Sequence, residues 1–382
     1  MKTYALTLLA LLFTASCATA QPAADTAADA PPAEQAEGDW SVTQHTVTIA
    51  GEEVAYTATA GTIQLTNRDD EPQASVFFIA YTRDNIEDAS KRPVMFCFNG
   101  GPGSSSVWLH MGCFGPRRVA FDEVGHTVGP PYELHDNPHS ILDTTDLVFI
   151  DPVSTGFSRT EGDTNPSQYH SVTGDIRSVG EFIRLWITRN DRWRSPKLLA
   201  GESYGTTRAA GLSSYLQGEG IAVSGAILVS AVLDFQTLRF GESNDLPYIL
   251  YLPTYTALAR YHGKLSDDLA ERDLPELLDE VETWSRQVYG PALMQGRELP
   301  ADERAALVTQ LAAYTGLNED VIDRSNLRVP QYRFGDALLR DEDNIIGRFD
   351  GRIVGPDLDR ATDRSGTSDP SYYRVAPGFT AS

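Results

Sequence analysis

Lys197-Leu198-Leu199-Ala200-Gly201-Glu202-Ser203-Tyr204-Gly205 is the stretch on which the reading of this chain turns. Four residues of strand character run into a Gly-x-Ser-x-Gly pentapeptide. Beyond it Ala209, Ala210, Leu212 and Leu216 fall at helical spacing, facing inward. A strand that ends on a sharp turn into a helix lifts the turn's side chain above the sheet, and the flanking glycines relieve the crowding such a turn creates. Ser203 is therefore the first candidate nucleophile.

Working outward, the apolar runs Val94–Phe98, Leu147–Ile150 and Ala226–Val229 have the continuous character of strands buried on both faces. Between the second of these and Lys197, the residues Ile176, Val179, Ile183, Trp186 and Ile187 recur at helical period, with Arg177, Glu181, Arg184 and Arg189 on the other side. Strands alternating with helices predict a parallel α/β sheet. Upstream, Val42–Ile49, Glu53–Thr57, Thr62–Thr66 and Ser75–Tyr81 read as antiparallel strands separated by Gly51, Gly61 and Asn67–Asp70. Downstream, Leu265–Gln287 is acidic and helix-periodic. Ala301–Thr315 enters at Pro300 and carries Leu307, Leu311 and Tyr314 on one stripe. Residues 39–235 thus read as the N-terminal part of a core, 236–345 as a helical cap insertion or a separate helical domain, and 346–382 as a return segment with no terminal helix.

Residues 1–20 have the charged start, short apolar middle and small-residue end of an export signal. Cleavage after Ala18-Thr19-Ala20 and a lipoprotein box ending at Cys17 are both open, and the expected location is periplasmic or secreted, with a lipid anchor under the second reading. Residues 21–38, rich in Ala, Pro, Asp and Glu, read as a tether. No apolar run reaches the roughly 18–20 residues that span a bilayer. With 31 basic and 53 acidic residues the net charge is −22, which argues against nucleic acid as a partner. Three cysteines in 382 residues exclude a disulfide-built scaffold. Export permits a bridge between Cys97 and Cys113, and two buried thiols are the alternative. The histidines show no metal-ligand spacing, and no metal or organic cofactor is expected.

Asn99-Gly100-Gly101-Pro102-Gly103-Ser104-Ser105-Ser106 follows the Val94–Phe98 run. A Gly-rich loop after a strand can cradle a phosphate, but Pro102 donates no N–H and Ser106 stands where a dinucleotide fingerprint needs its third Gly. The loop suits acyl transfer better. There, negative charge on the former carbonyl oxygen needs preorganised N–H donors, and the amides of Gly101 and Tyr204 are the candidates.

Together with Asp151-Pro152-Val153-Ser154-Thr155-Gly156-Phe157-Ser158 and Gly201–Gly205, the Asn99–Ser106 block resembles the signature of the serine carboxypeptidases, in order and in spacing. The likeness covers roughly residues 75–235 well and is to a bacterial type lacking the C-terminal part. It implies an α/β-hydrolase fold with a helical cap, and removal of C-terminal residues from peptides bearing a free carboxylate. It also implies Ser203 as nucleophile and Gly101 and Tyr204 as oxyanion donors, with Asn99, Gly100 and Glu202 binding the substrate's terminal carboxylate. A Glu donates to a carboxylate only when protonated, so this reading expects binding to weaken as pH rises and activity to be better below neutral pH. Glu202 as an orienting carboxylate without substrate contact and Asn99 as a loop brace are the plainer alternatives.

Two departures from the pattern matter. His110-Met111-Gly112-Cys113-Phe114-Gly115-Pro116 carries Cys113 where the family has a second Glu, which weakens carboxylate recognition and makes an esterase more plausible. In such folds the chain order is Ser, then Asp or Glu, then His, and only His262 follows Ser203. A relay through Asp234 and His262 is conceivable, but the spacing is far too short for the family's base, and a structural or exposed His262 is the default. The acid and base are expected beyond Ser382, with these 382 residues an incomplete, weakly active form that exposes an unfinished sheet edge. A non-catalytic exported binding protein is the remaining alternative.

Overall fold

A computed structural model describes residues 40–123, 125–358 and 369–381. The export signal and the tether lie outside the described residues. Seven strands set the frame: β1 (Ser41–Ile49), β2 (Glu52–Thr66), β3 (Pro72–Arg83), β4 (Val94–Phe98), β5 (Asp146–Ile150), β6 (Lys197–Glu202) and β7 (Val223–Val229). They pair in the order β1-β2-β3-β5-β4-β6-β7, and the short strand Arg159–Thr160 joins β3. The first three and the β3–β5 pair are antiparallel, while β5, β4, β6 and β7 run parallel. Every residue of β4 and β5 is buried, as continuous apolar runs in a covered sheet should be. Helices α1 (Val172–Arg189) and α2 (Tyr204–Gly218) supply the crossovers. Phe182, Ile183, Trp186, Ala209, Leu212 and Leu216 are buried in the same core as Phe96, Phe98 and Val148. A mixed sheet ordered this way, with a sharp strand-to-helix turn after β6, is an α/β-hydrolase fold.

Where the structure departs from the sequence reading, packing explains it. Glu53–Thr57 and Thr62–Thr66 are one strand, because Gly61 is no turn: a Cβ there would lie 2.2 Å from Cδ1 of Trp40, whose ring occupies that space and whose Nε1 donates to the Thr62 carbonyl at 3.0 Å. β7 has the sequence of a central strand, yet Ile227 and Leu228 are each 40% exposed, because β7 pairs only with β6 and ends the sheet among the described residues. Ala210 is exposed rather than inward. Cys97 and Cys113 are both free thiols, the first buried in β4 and the second exposed.

The helical stretch after β7 has its own apolar core. Helices α3 (Leu252–Tyr261), α4 (Leu274–Trp284), α5 (Ala301–Thr315) and α6 (Gln331–Ala337) gather Tyr255, Leu277, Val281, Leu311, Tyr314 and Phe334. It falls in the same compact unit as the sheet. The periodic stretch 265–287 is broken before Leu274, where Asp273 caps α4 by accepting from the Glu276 N–H at 3.3 Å and Pro275 occupies the first turn. The C-terminal segment does form a helix, α7 (Ala376–Ala381). Phe379 anchors it by lying 4.5 Å, ring to ring, from Trp108, an aromatic contact of a kind worth about 0.5–1.5 kcal/mol. Among the described residues no helix is long and apolar enough to cross a membrane.

One buried ion cluster ties the N-terminal ends of the central strands. Asp146, at the start of β5, accepts from Arg92 Nε at 2.7 Å and Arg192 Nη1 at 2.5 Å, with all three side chains under one-tenth exposed. Asp146→Ala leaves two buried guanidinium groups without their counter-charge and is expected to cost about 3–5 kcal/mol, read as a lowered urea midpoint.

Candidate active site

The turn after β6 is strained where the chemistry needs it. Ser203 has φ +56° and ψ −124°, a region costing a non-glycine residue on the order of 1–3 kcal/mol. The surroundings impose it. The Ser203 N–H donates to the Val229 carbonyl of β7 at 3.0 Å, and the Ser203 carbonyl accepts from the Thr206 N–H at 2.9 Å and from Thr206 Oγ1 at 2.7 Å. Ser203 is half-buried, and Tyr204 opens α2.

The Gly-rich loop lies directly against this turn. A Cβ on Gly100 would sit 2.4 Å from the Tyr204 nitrogen, 2.7 Å from the Glu202 carbonyl oxygen and 2.9 Å from the Gly205 nitrogen. The same holds from the other side: a Cβ on Gly205 would meet the Phe98 carbonyl oxygen at 2.7 Å, and one on Gly201 the Gly205 carbonyl oxygen at 2.1 Å. All three clashes are with backbone, which cannot rotate away. Gly101 follows with φ +106°, a left-handed conformation that suits glycine.

Asn99 and Glu202 meet. Asn99 Nδ2 donates to Glu202 Oε2 at 3.0 Å, and Asn99 Oδ1 accepts from the Leu109 N–H at 3.0 Å, so the amide is oriented from both ends. Asn99 is fully buried and Glu202 half-buried. The structure thus brings Asn99, Gly100, Glu202, Ser203 and Tyr204 together, with Gly101 next in the loop.

Residues given no individual role in the sequence reading hold this arrangement. Asp151, at the end of β5, accepts from the Ser106 N–H at 2.9 Å, and Gly156, with φ +46°, leaves room for its other oxygen. Burial raises the Asp151 carboxyl above the usual range. Ser158 Oγ donates to the Asp151 carbonyl at 2.6 Å and accepts from the Phe77 N–H at 2.8 Å. The Asp151–Ser158 block is therefore a brace that fixes where the Gly-rich loop re-enters the fold. Arg208 is buried on α2 and pairs with Asp175 of α1. Burial, then the facing Asp175, pushes the Tyr204 phenol up to about 12.

The segment that holds Asn99 carries His110. Its Nε2 shares a 2.7 Å hydrogen bond with the Tyr81 hydroxyl, its ring stacks 4.5 Å from Phe149, and burial lowers its pKa to about 4. The Asp234–His262 relay is not formed. His262 Nε2 lies 2.7 Å from the Gly351 carbonyl, and Asp234 Oδ1 accepts from the Gln236 N–H at 2.9 Å. His45, His126, His135 and His170 face Thr43, Asp122, Glu133 and Ser154. Among the described residues no hydrogen bond joins a histidine ring to Ser203, and none joins Cys113 to Glu202.

Residues 51–219 match the family model described as serine carboxypeptidase. This span takes in the Gly-rich loop, the Asp151–Ser158 brace and the Ser203 turn. The curated proteins it is similar to include serine carboxypeptidase-like 20 of Arabidopsis thaliana, 29% identical over 37% of this chain and 32% of that protein. They also include serine carboxypeptidase 1 of Hordeum vulgare, 31% identical over 32% of this chain and 24% of that protein. The named relatives are plant proteins, and the chain spans about a third or less of their length. Among solved structures, the prohormone-processing carboxypeptidase Kex1 of Saccharomyces cerevisiae aligns over 68% of this chain and 53% of its own, with 20% identity and a TM-score of 0.39.

Two outcomes follow from this geometry. Gly100→Ala forces the loop off the Tyr204 amide and is expected to destabilise the protein by about 1–3 kcal/mol, read by chemical denaturation, and to abolish labelling of Ser203 by a fluorophosphonate. A half-buried, neutral His110 makes the unfolded chain the better proton acceptor, so its contribution to stability is complete above a pH of about 6.5 and falls as pH drops toward 4. The gap in unfolding free energy between wild type and His110→Gln should therefore shrink from pH 7 to pH 5.

Proposed function

We propose that this chain carries the nucleophile and carboxylate cradle of a serine-type carboxypeptidase, which releases C-terminal residues from peptides through an acyl-enzyme on Ser203. The observation that carries the reading is the contact at Gly100: a Gly-rich loop packed to within a missing Cβ of the amide that follows a strained, half-buried serine. In this reading Ser203 Oγ attacks the carbonyl of the last peptide bond. The oxyanion is received by the N–H groups of Gly101 and Tyr204, as acyl transfer requires. Collapse of the intermediate expels the C-terminal amino acid as its amine, which takes a proton, and water then releases the acyl group. Asn99, Gly100 and Glu202 hold the terminal carboxylate.

Attack also needs an acceptor for the Ser203 proton. Since no described histidine is bonded to Ser203, turnover by these 382 residues is proposed to fall about 10³-fold or more below that of a complete triad. The protein is proposed to be exported, to the periplasm or beyond, with lipid attachment at Cys17 as the alternative to cleavage after Ala20.

The carboxylate cradle separates a peptidase from an esterase. Asn99→Ala and Glu202→Ala are each expected to lower kcat/KM at least tenfold for a blocked dipeptide with a free carboxylate, and to change hydrolysis of a neutral ester by no more than about threefold (about 0.7 kcal/mol). Equal losses on both substrates would point to an esterase. Failure of wild-type Ser203 to react with a fluorophosphonate even over an exposure about 10³-fold longer than a complete triad needs would leave a non-catalytic binding protein.

A further inference from the structure

Arg208 sits in the second turn of α2 and is 1% exposed. Its Nε donates to Asp175 Oδ2 at 2.9 Å, and its Nη1 donates to the Asn99 carbonyl at 2.7 Å. The guanidinium lies 5.3 Å from the centre of the Phe98 ring and 5.2 Å from that of Tyr204. One side chain therefore touches the last residue of β4, the first residue of the Gly-rich loop, the residue after the candidate nucleophile, and the first turn of α1. Asp175 is 7% exposed, so the pair is sealed from water.

The contact with Asn99 has a directional consequence. The Asn99–Gly100 peptide is not among the cis bonds of the described residues, and in a trans peptide the C=O and the next N–H point in opposite directions. Drawing the Asn99 carbonyl to Arg208 therefore turns the Gly100 N–H away from the guanidinium. The same bond fixes the backbone from which the Asn99 side chain reaches Glu202. A guanidinium can do this while paired to Asp175, because its donors fan out in a rigid plane. An ammonium is a single compact charge and cannot span both acceptors in the same way.

We propose that Arg208, clamped by Asp175, is a positioning residue that aims the Gly100 N–H and the Asn99 amide at the terminal carboxylate of a peptide substrate. This rests on the carboxylate reading above. Neither residue touches the substrate. Their effect is on discrimination between a ligand that has the carboxylate and one that lacks it.

The test uses the full chain and needs no turnover. Binding of an N-acylated amino acid, the free acid, is compared by calorimetry with binding of its carboxamide, for wild type, Arg208→Lys and Asp175→Asn. Folding is checked by near-ultraviolet circular dichroism. Wild type is expected to bind the acid at least about tenfold more tightly than the amide. Each variant is expected to bring that ratio to about threefold or less, through weaker acid binding with amide binding unchanged. If Arg208→Lys does not fold, Asp175→Asn, which keeps the side-chain volume and frees the guanidinium, carries the test. A folded variant that keeps the wild-type ratio would overturn the proposal. So would equal weakening of acid and amide, which marks a general structural role. A wild type with no preference for the acid would overturn the carboxylate reading itself, and this inference with it.

Discussion

Two stretches of main chain, a hundred residues apart in sequence, lie so close that no side-chain carbon fits between them. Where Gly100 meets the Tyr204 amide, a Cβ would stand 2.4 Å from the nitrogen. Much of the site can be understood as what is needed to keep that approach. Gly201 and Gly205 clear the turn from within. The Val229 carbonyl pins the Ser203 N–H, and Asp151 takes the far end of the loop by the Ser106 amide. Arg208 takes its near end by the Asn99 carbonyl. The strain of a serine at φ +56° is sustained because each neighbour is held independently of the others.

Two buried ion clusters hold opposite ends of the parallel strands. At their N-terminal ends, Asp146 pairs with two arginines. Beside the turn, Asp175 and Arg208 form another whose donors reach loop and ring alike. Both pairs cost desolvation, and both are retained by well-formed hydrogen bonds. Both also grip backbone carbonyls, Arg192 that of Arg92 and Arg208 that of Asn99, and the second grips the loop beside Ser203. His110 adds a limit of its own: the segment anchoring Asn99 through the Leu109 amide rests on a histidine that burial keeps neutral, so acidification works against the support of the site.

The fold was largely legible because periodicity reports burial. The runs at Val94–Phe98 and Leu147–Ile150 are central strands, and Val179, Ile183 and Trp186 mark the buried face of α1. The failures are contacts that no local pattern encodes. Gly61 reads as a turn unless the Trp40 ring is known to fill its place. Ala226–Val229 reads as doubly buried because sequence reports the character of a strand and not what lies beside it. The last helix exists because Phe379 finds Trp108. At the site the same division holds. Ser203, Asn99, Glu202 and the glycines sit in contiguous motifs, whereas Arg208 meets Asp175 and Asn99 across 33 and 109 residues. Asp151 stood inside a recognised block, but its bond to the Ser106 amide depends on the loop's path and has no sequence signal.

The account stands or falls on where charge is received when Ser203 reacts. The most direct measurement is a crystal structure of the chain phosphonylated at Ser203. The phosphoryl oxygen is expected to lie within about 2.7–3.1 Å of the amide nitrogens of both Gly101 and Tyr204. An adduct whose oxygen points to solvent, with those two amides engaged elsewhere, would contradict it.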